Sequence, residues 1–480
     1  MDRSNFWVHF GIAAILVTFA AVLGGLERWR SSLSADVAIP EEHRSVGPLK
    51  RPPEVLVRFK PDVSLDRMRS IAAASNDQVV DEIESVGGLA VIDDLDDADP
   101  QFVVHQYASM NDVEYAEPNY RIQLDDPIEK NNDISPRSAA SVFRSDEKVP
   151  NDPLFAKQWA LNNQGAAGGT ARADIDAVAA WQTTTGSSEV VVAVLDSGVE
   201  LDHEDLKNNI WTRPDDLAAY SDAELGELDD LRGFNGVDLN DDPSDDNGHG
   251  THCAGIIGAE GNNGLGITGV NWNVKIMPLK FLGRNGGGTT EDAIAAINYA
   301  IERKKDGVNI RVISASWGSQ IYSKALEDTI RAAGDAGILF IAAAGNNGTD
   351  NDTGPHYPSN YKLPNVVSVA AVDNTDKLAS FSNFGVKSVD VAAPGKAVLS
   401  TWLGSSYREL SGTSMATPYV SGVAALIAAQ EPKVSMADLR SRLLDSADKL
   451  DSLKGKVGTG GRICAANAVR AAHSKAVAGN

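Results

Sequence analysis

Residues 189–198 read EVVVAVLDSG, and the fold turns on how this stretch is understood. Residues 190–195 are all apolar, and the run stops at Asp196. A half-buried strand alternates apolar and polar residues, whereas a strand covered on both faces is apolar throughout. The same texture returns at 274–282 (VKIMPLKFL), 309–318 (NIRVISASWG), 337–346 (GILFIAAAGN) and 365–372 (NVVSVAAV). Helical patterns lie between these runs. Residues 291–300 open with acids and place Ile294 and Ile297 on one face; Ile301 extends it, and Arg303, Lys304 and Lys305 follow. Both charge placements suit a helix dipole. The pattern predicts an α/β fold with a doubly wound, mainly parallel sheet and right-handed crossovers. Functional groups in such sheets gather at the carboxyl ends of strands. Asp196 and Asn346 each follow an apolar run directly.

The chain has 480 residues, room for roughly three domains. A net charge of −23 and an isoelectric point near 4.7 exclude a nucleic-acid binder, which needs a basic footprint. Cys253 and Cys464 lie far apart with no CxxC pair, so two free thiols are expected. Residues 6–26 are nearly uncharged apart from His9. About 20 apolar residues can cross a bilayer, more than the 7–15 of a typical signal-peptide core. Residues 1–30 therefore read as an export signal. Arg3 precedes the apolar run and Arg28 and Arg30 follow it, which leaves both a cleaved signal peptide and a retained membrane anchor open.

Residues 31–53 form a polar linker. Residues 54–124 have the texture of a small α+β module. EVLVRF (54–59) alternates like a strand, 66–75 is helical, 87–94 and 101–108 are strand- or helix-like, and 113–122 closes the unit. Residues 125–150 are charged and aperiodic, a linker of the kind proteases nick. Residues 151–480 make the large α/β domain.

Three motifs carry chemistry. In LSGTSMATP (410–418), Ser414 stands at the mouth of an apolar helix with a proline in its first turns. A serine there is either a helix cap or a nucleophile. In NGHGTHCAGIIGA (247–259), His249 opens a small-residue helix. His249 and His252 have a spacing that could bind a metal, but no third ligand recurs nearby. The third motif is DSG (196–198) itself.

The blocks VVAVLDSGVELDHEDL, NGHGTHCAGI, FIAAAGNNG and LSGTSMATPYVSGVAAL, in that order, resemble the catalytic blocks of subtilisin-like serine proteases. HGTHC and NDPLFAKQWAL (151–161) look most like the thermitase and proteinase K side of the family. Two departures are Tyr419, where the family commonly has histidine, and an acidic segment at 214–230 that looks like an inserted surface loop. The order Asp, His, Ser and the motif Gly-Thr-Ser-Met-Ala disfavour an α/β-hydrolase.

The resemblance implies roles. Ser414 would attack the peptide carbonyl, His249 would carry the proton, and Asp196 would orient the imidazole. Asn346 and the Ser414 backbone N–H would hold the oxyanion. Protein or peptide substrates would bind as an extended strand between Ser316, Trp317 and Gly318 on one side and Asn285, Gly286 and Gly287 on the other. Ala343, Ala344 and Gly345 would line the first pocket, with His356 near its floor and a bias toward apolar side chains. Tyr357-Pro358 matches a bond that is often cis. Ca²⁺ is the expected cofactor, held by Asp152, Asp205, Asn263 and the carbonyls of Glu260, Leu265 and Ile267. The acidic run NDDPSDDN (240–247) reads equally as a second ion site or a solvated loop. The 54–124 module, through EVLVRFKP and DVEYAEPNYRI, resembles an inhibitory propeptide that helps folding, covers the cleft and is cut off within 125–150. The expected protein is an exported serine endopeptidase made as a zymogen. The alternatives are a membrane-anchored processing protease and a non-catalytic peptide-binding scaffold.

Overall fold

A computed structural model of the chain describes residues 54–124, 130–134, 148–222 and 225–470. The expected export segment (1–30) and first linker (31–53) lie outside these residues. Among the described residues no helix is long and apolar enough to cross a membrane.

The N-terminal module runs β1 (Glu54–Phe59), α1 (Leu65–Ala74), β2 (Asp77–Glu82), β3 (Leu89–Asp94), α2 (Pro100–Ala108) and β4 (Val113–Pro118). The strands form an antiparallel sheet in the order β2-β3-β1-β4. Residues 101–108, ambiguous in the sequence, fall in helix α2, whose first turn holds Pro100 and whose cap is Asp99. The period-2 pattern of β1 sorts its side chains between two cores. Val55, Val57 and Phe59 pack with the module's own helices. Leu56 points the other way, into the core of the large domain, with Ile83, Val86, Leu89 and Val91. The module is therefore docked by one apolar sheet face.

Two short strands follow, β5 (Arg121–Gln123) and β6 (Lys130–Ile134). The aperiodic stretch 125–150 thus contains a strand, a departure from the linker expectation. β6 pairs antiparallel through its main chain, which needs no side-chain pattern.

The large domain contains α3 (Ala177–Trp181), β7 (Gly186–Asp196), β8 (Tyr220–Asp222), β9 (Gly226–Leu228), β10 (Phe234–Asn235), α4 (His249–Gly258), β11 (Asn273–Lys280), β12 (Gly287–Thr289), α5 (Thr290–Lys305), β13 (Ile310–Ala315), α6 (Lys324–Asp335) and β14 (Leu339–Ala343). It continues with β15 (Val366–Val372), β16 (Val391–Pro394), β17 (Val398–Trp402), β18 (Ser406–Leu410), α7 (Thr413–Gln430), α8 (Met436–Asp445), β19 (Asp448–Lys449) and β20 (Gly461–Arg462). The main sheet has the order β10-β11-β7-β13-β14-β15-β16-β20-β19, parallel except at the β19–β20 edge. β7 shows why continuous apolar runs mean two covered faces. Val190, Val192 and Val194 face the core that holds α4 and α7, while Val191, Ala193 and Leu195 face the core that holds α5 and α6. The expected doubly wound parallel sheet is the one observed.

The acidic segment 214–230 is more than an inserted surface loop. It carries the β8–β9 hairpin, and its last residue, Asp230, is fully buried. Asp230 accepts bonds from Arg303 Nε (2.8 Å), Tyr299 Oη (2.5 Å) and the Tyr220 N–H (3.0 Å). Tyr419 lies inside the core of α7, in accord with a packing role.

Candidate active site

Asp196 ends β7, in register with Lys280 of β11, so a fully buried carboxylate stands at the carboxyl edge of the sheet. His249 is the first residue of α4. The helix can reach β7 only because residue 250 is glycine, since a Cβ there would lie 2.1 Å from the Gly198 carbonyl oxygen. His249 Nδ1 lies 2.8 and 3.0 Å from the two carboxylate oxygens of Asp196. Burial disfavours the charged imidazole, but the facing Asp196 carboxylate outweighs it and holds the His249 pKa well above 6.5. Cys253 also lies against His249; burial pushes its thiol up, so it is neutral in the working range and Asp196 is the charge that matters.

Ser414 is not the helix cap. That position is Gly412, and Asn346 Oδ1 accepts the Thr413 N–H (2.8 Å) and Oγ1–H (3.0 Å) instead. This fixes the Asn346 amide with its NH₂ end unused by any hydrogen bond among the described residues. Pro418 lies inside α7 and has no N–H, which frees the carbonyl four residues back, that of Ser414. Ser316 Oγ donates to this carbonyl at 2.9 Å and Cys253 Sγ at 3.6 Å. Serine, histidine and cysteine therefore share one buried spot. The expected Ser414–His249 contact is not made in this conformation. Ser414 Oγ donates to the Ser316 carbonyl (2.9 Å), and His249 Nε2 has no hydrogen-bond partner among the described residues. His252 turns away: Nε2 meets the Arg408 carbonyl (3.0 Å), and burial lowers its pKa to about 3.

The rim predicted at Asn285, Gly286 and Gly287 holds an extended chain, and that chain belongs to the protein itself. β5 pairs antiparallel with β12, Gln123 opposite Gly287 and Ile122 opposite Gly288. The Leu124 N–H donates to Gly286 O (2.9 Å) and Gln123 Nε2 to Asn285 O (2.9 Å). Ile122 and Leu124 are buried, while Arg121 and Gln123 face out. On the opposite rim, Trp317 Nε1–H donates to the Leu195 carbonyl (3.0 Å) and its ring packs on Phe281. Ala343 ends β14, and Ala344 and Gly345 follow. Residues Gly318 and Gly345 both abut the buried His356 ring: a Cβ on Gly318 would lie 2.1 Å from Cε1, and one on Gly345 3.0 Å from Cδ2. The Tyr357-Pro358 bond is cis.

The residues expected to hold Ca²⁺ also converge. Asp152 accepts the N–H groups of Asn262 (2.7 Å) and Asn263 (3.2 Å). Asp205 accepts Asn263 Nδ2 (2.8 Å), the Ile267 N–H (2.9 Å) and Tyr407 Oη (3.1 Å). Asp205 O accepts the Glu260 N–H (2.8 Å), and the Leu265 N–H donates to Asn263 Oδ1 (2.8 Å). Both carboxylates are buried and neither meets a cationic side chain among the described residues. Burial pushes Asp152 up to about 6 and Asp205 up to about 7. Two buried acids without a counter-charge fit a hard divalent cation.

Residues 187–460 match the subtilase family, Peptidase S8. The chain belongs to the subtilase family. Residues 51–119 of this subtilase match the fervidolysin N-terminal prodomain. The subtilase is 34% identical to a thermophilic serine proteinase of Bacillus sp. (strain AK1), over 87% of both chains. It is 35% identical to thermitase of Thermoactinomyces vulgaris over 67% of this chain and 99% of that one. A solved protease structure from Pseudoalteromonas arctica PAMC 21717 is 31% identical, with a TM-score of 0.56, and covers 67% of this chain and 99% of its own. The subtilase is thus a serine endopeptidase with an N-terminal prodomain.

The sequence motifs marked Asp196, His249, Asn346 and Ser414 as candidates but assigned no role to Ser197, Asp245 and Lys280, which gather behind Asp196 and His249. Their signal was proximity alone, a serine directly after Asp196 and an acid four positions before His249.

Proposed function

We propose that this subtilase is exported, is made as a zymogen, and cleaves peptide bonds through an acyl-enzyme on Ser414. His249 takes the serine proton and returns it to the leaving amine. Asp196 orients the imidazole and stabilises its charged form, and Asn346 Nδ2 with the Ser414 N–H stabilises the oxyanion. The observation that carries this reading is the His249–Asp196 contact at 2.8 Å, in a site whose rim already holds an extended segment of the chain. The Ser414–Ser316 bond belongs to the resting state, since catalytic hydrogen bonds often tighten only in the substrate complex. A substrate N–H that takes the Ser316 carbonyl would release the hydroxyl toward His249.

The β5–β12 pairing supports a propeptide tail bound as a substrate would be. β6 pairs with β18, which ends four positions before Ser414. These two pairings support a maturation cut between β5 and β6, in residues 125–129. The buried Ile122 and Leu124 support a preference for apolar side chains at alternate substrate positions, and the wall of Ala343, Ala344, Gly345 and His356 supports a broad first pocket. Ca²⁺ would be held by Asp152, Asp205 and Asn263 with loop carbonyls and would brace this loop. The apolar run 6–26 supports export.

The experiment is expression of the full chain with and without Ser414→Ala, followed by N-terminal sequencing. Wild type is expected to split within 125–150 and to digest an unfolded protein, while the variant stays whole and inert. Self-processing by the purified variant would overturn the reading. Sequencing the exported form also fixes whether residues 1–30 are removed.

A further inference from the structure

The loop before α4 holds a carboxylate that the chemistry above does not use. Asp245 Oδ1 accepts Ser197 Oγ (2.9 Å) and the N–H groups of Asn247 (3.0 Å) and Gly248 (2.9 Å). Its Oδ2 accepts the Thr251 N–H (3.0 Å) and Oγ1–H (2.6 Å). Five donors use up a carboxylate with about four lone-pair sites. Asp245 is therefore neither a solvated loop acid nor an open cation ligand, unlike the exposed Asp241, Asp242 and Asp246 beside it.

The bonds close a ring around the acid–imidazole pair. The Ser197 N–H donates to Asp196 Oδ1 at 2.7 Å, the same oxygen that faces His249 Nδ1. Ser197 Oγ accepts the N–H of Gly250, directly after His249, at 3.0 Å while donating to Asp245. Lys280 holds the other side of Ser197, with Nζ donating to its carbonyl at 2.8 Å and to Asp246 at 2.7 Å.

We infer that Asp245 is a positioning residue for the peptidase reaction: through Ser197 it fixes the Asp196 carboxylate against the His249 imidazole. The inference rests on the proposed roles of Asp196, His249 and Ser414. The physical reason is tolerance. A displacement near 1 Å, even from a change remote from the chemistry, costs about 100-fold in rate. Asp245 joins the two elements that must stay in register, the end of β7 and the first turn of α4. Substitution separates positioning from simple helix capping. Asp245→Asn keeps the oxygen that faces Ser197 and loses the one that caps Thr251. Asp245→Ala loses both, and Ser197→Ala breaks the bridge from the other side.

The test measures kcat per serine titrated with an organophosphorus reagent, together with KM, the pH profile and Tm, in the full chain. Asp245→Ala and Ser197→Ala are expected to lose about 100-fold in kcat with KM little changed. Their acid limbs should fall toward pH 6.5, and the double variant should be no worse than either single one. Asp245→Asn should lower Tm yet keep kcat within a few-fold of wild type. A kcat within twofold of wild type in Asp245→Ala, with only Tm lowered, would overturn the inference. If Asp245→Ala does not fold, Ser197→Ala decides by the same criterion. Failure of the underlying reading looks different, because the wild-type serine would then not be titrated at all.

Discussion

The Asn346 amide oxygen accepts the Thr413 N–H at 2.8 Å, so the residue proposed as the oxyanion donor also caps the helix that carries Ser414. The two jobs use opposite ends of one amide. Asn346→Asp keeps the capping oxygen and removes the donor; Asn346→Ala removes both. Each should lose at least about 100-fold in kcat, the scale of one lost oxyanion donor. Only the alanine variant should also lose helix-cap stability, about 1 kcal/mol. Steady-state kinetics with thermal unfolding checks both. Full activity in the aspartate variant would remove Asn346 from the mechanism.

His249 must be neutral to act as a base. Burial works against its charge, yet the facing Asp196 holds its pKa well above 6.5. The imidazole is thus still protonated at pH 6.5 and loses its proton only as pH rises through the shifted value. The acid limb of kcat/KM should lie above pH 6.5. A profile already flat at pH 6 would contradict this.

The proposed calcium cage has its own pH signature. The carboxyls of Asp152 and Asp205 have folded-state values of about 6 and about 7, raised above 3.8 by burial. The folded state therefore binds more protons than the unfolded one between these limits. In chelator, stability should be highest below pH 3.8 as far as these two groups go, and should fall as pH rises through about 6 and 7. Saturating Ca²⁺ should abolish the fall and raise Tm. An unchanged Tm on chelation at pH 8 would rule out the cage.

Prodomain release should also depend on pH. Glu117 of the prodomain, its pKa raised by burial, accepts the N–H groups of Lys324 (2.8 Å) and Ala325 (3.1 Å) at the start of α6. Glu291 of α5 is held well above 4.5, by burial first and then by neighbouring acids that include Glu54 and Asp81 of the prodomain. The docked state thus favours protonated carboxyls, so its affinity should weaken as pH rises past the ordinary carboxylate range. Gel filtration of the cut protein at pH 5 and pH 8 should show the prodomain retained longer at pH 5. Glu291→Gln should flatten the difference, and equal retention in wild type would refute the account.

Much of this architecture was legible in the residues. Continuous apolar runs at β7, β11, β13, β14 and β15 mean strands buried on both faces, so the sheet and the places of Asp196 and Asn346 at its edge followed. The small residues after His249 mark a closely packed helix, but its candidate role came from the order of the blocks that resemble subtilisin-like proteases. The rest depended on tertiary contacts that leave no periodic trace. β6 pairs through its backbone, so its charged sequence looked like a linker. Asp245 stands in an acidic run whose members look alike until one of them turns inward. Asp230 pins the segment 214–230 only because Arg303 and Tyr299 come from a distant helix. Serine can cap a helix, but here Asn346 of another strand end does so, which composition alone does not reveal.

The central claim is that Ser414 is the nucleophile, with His249 as its base. The most direct test is intact-protein and peptide mass spectrometry after reaction with diisopropyl fluorophosphate. One adduct is expected, on the peptide containing Ser414, absent in Ser414→Ala and formed far more slowly in His249→Ala. An adduct on another residue, or equal labelling of wild type and Ser414→Ala, would contradict it.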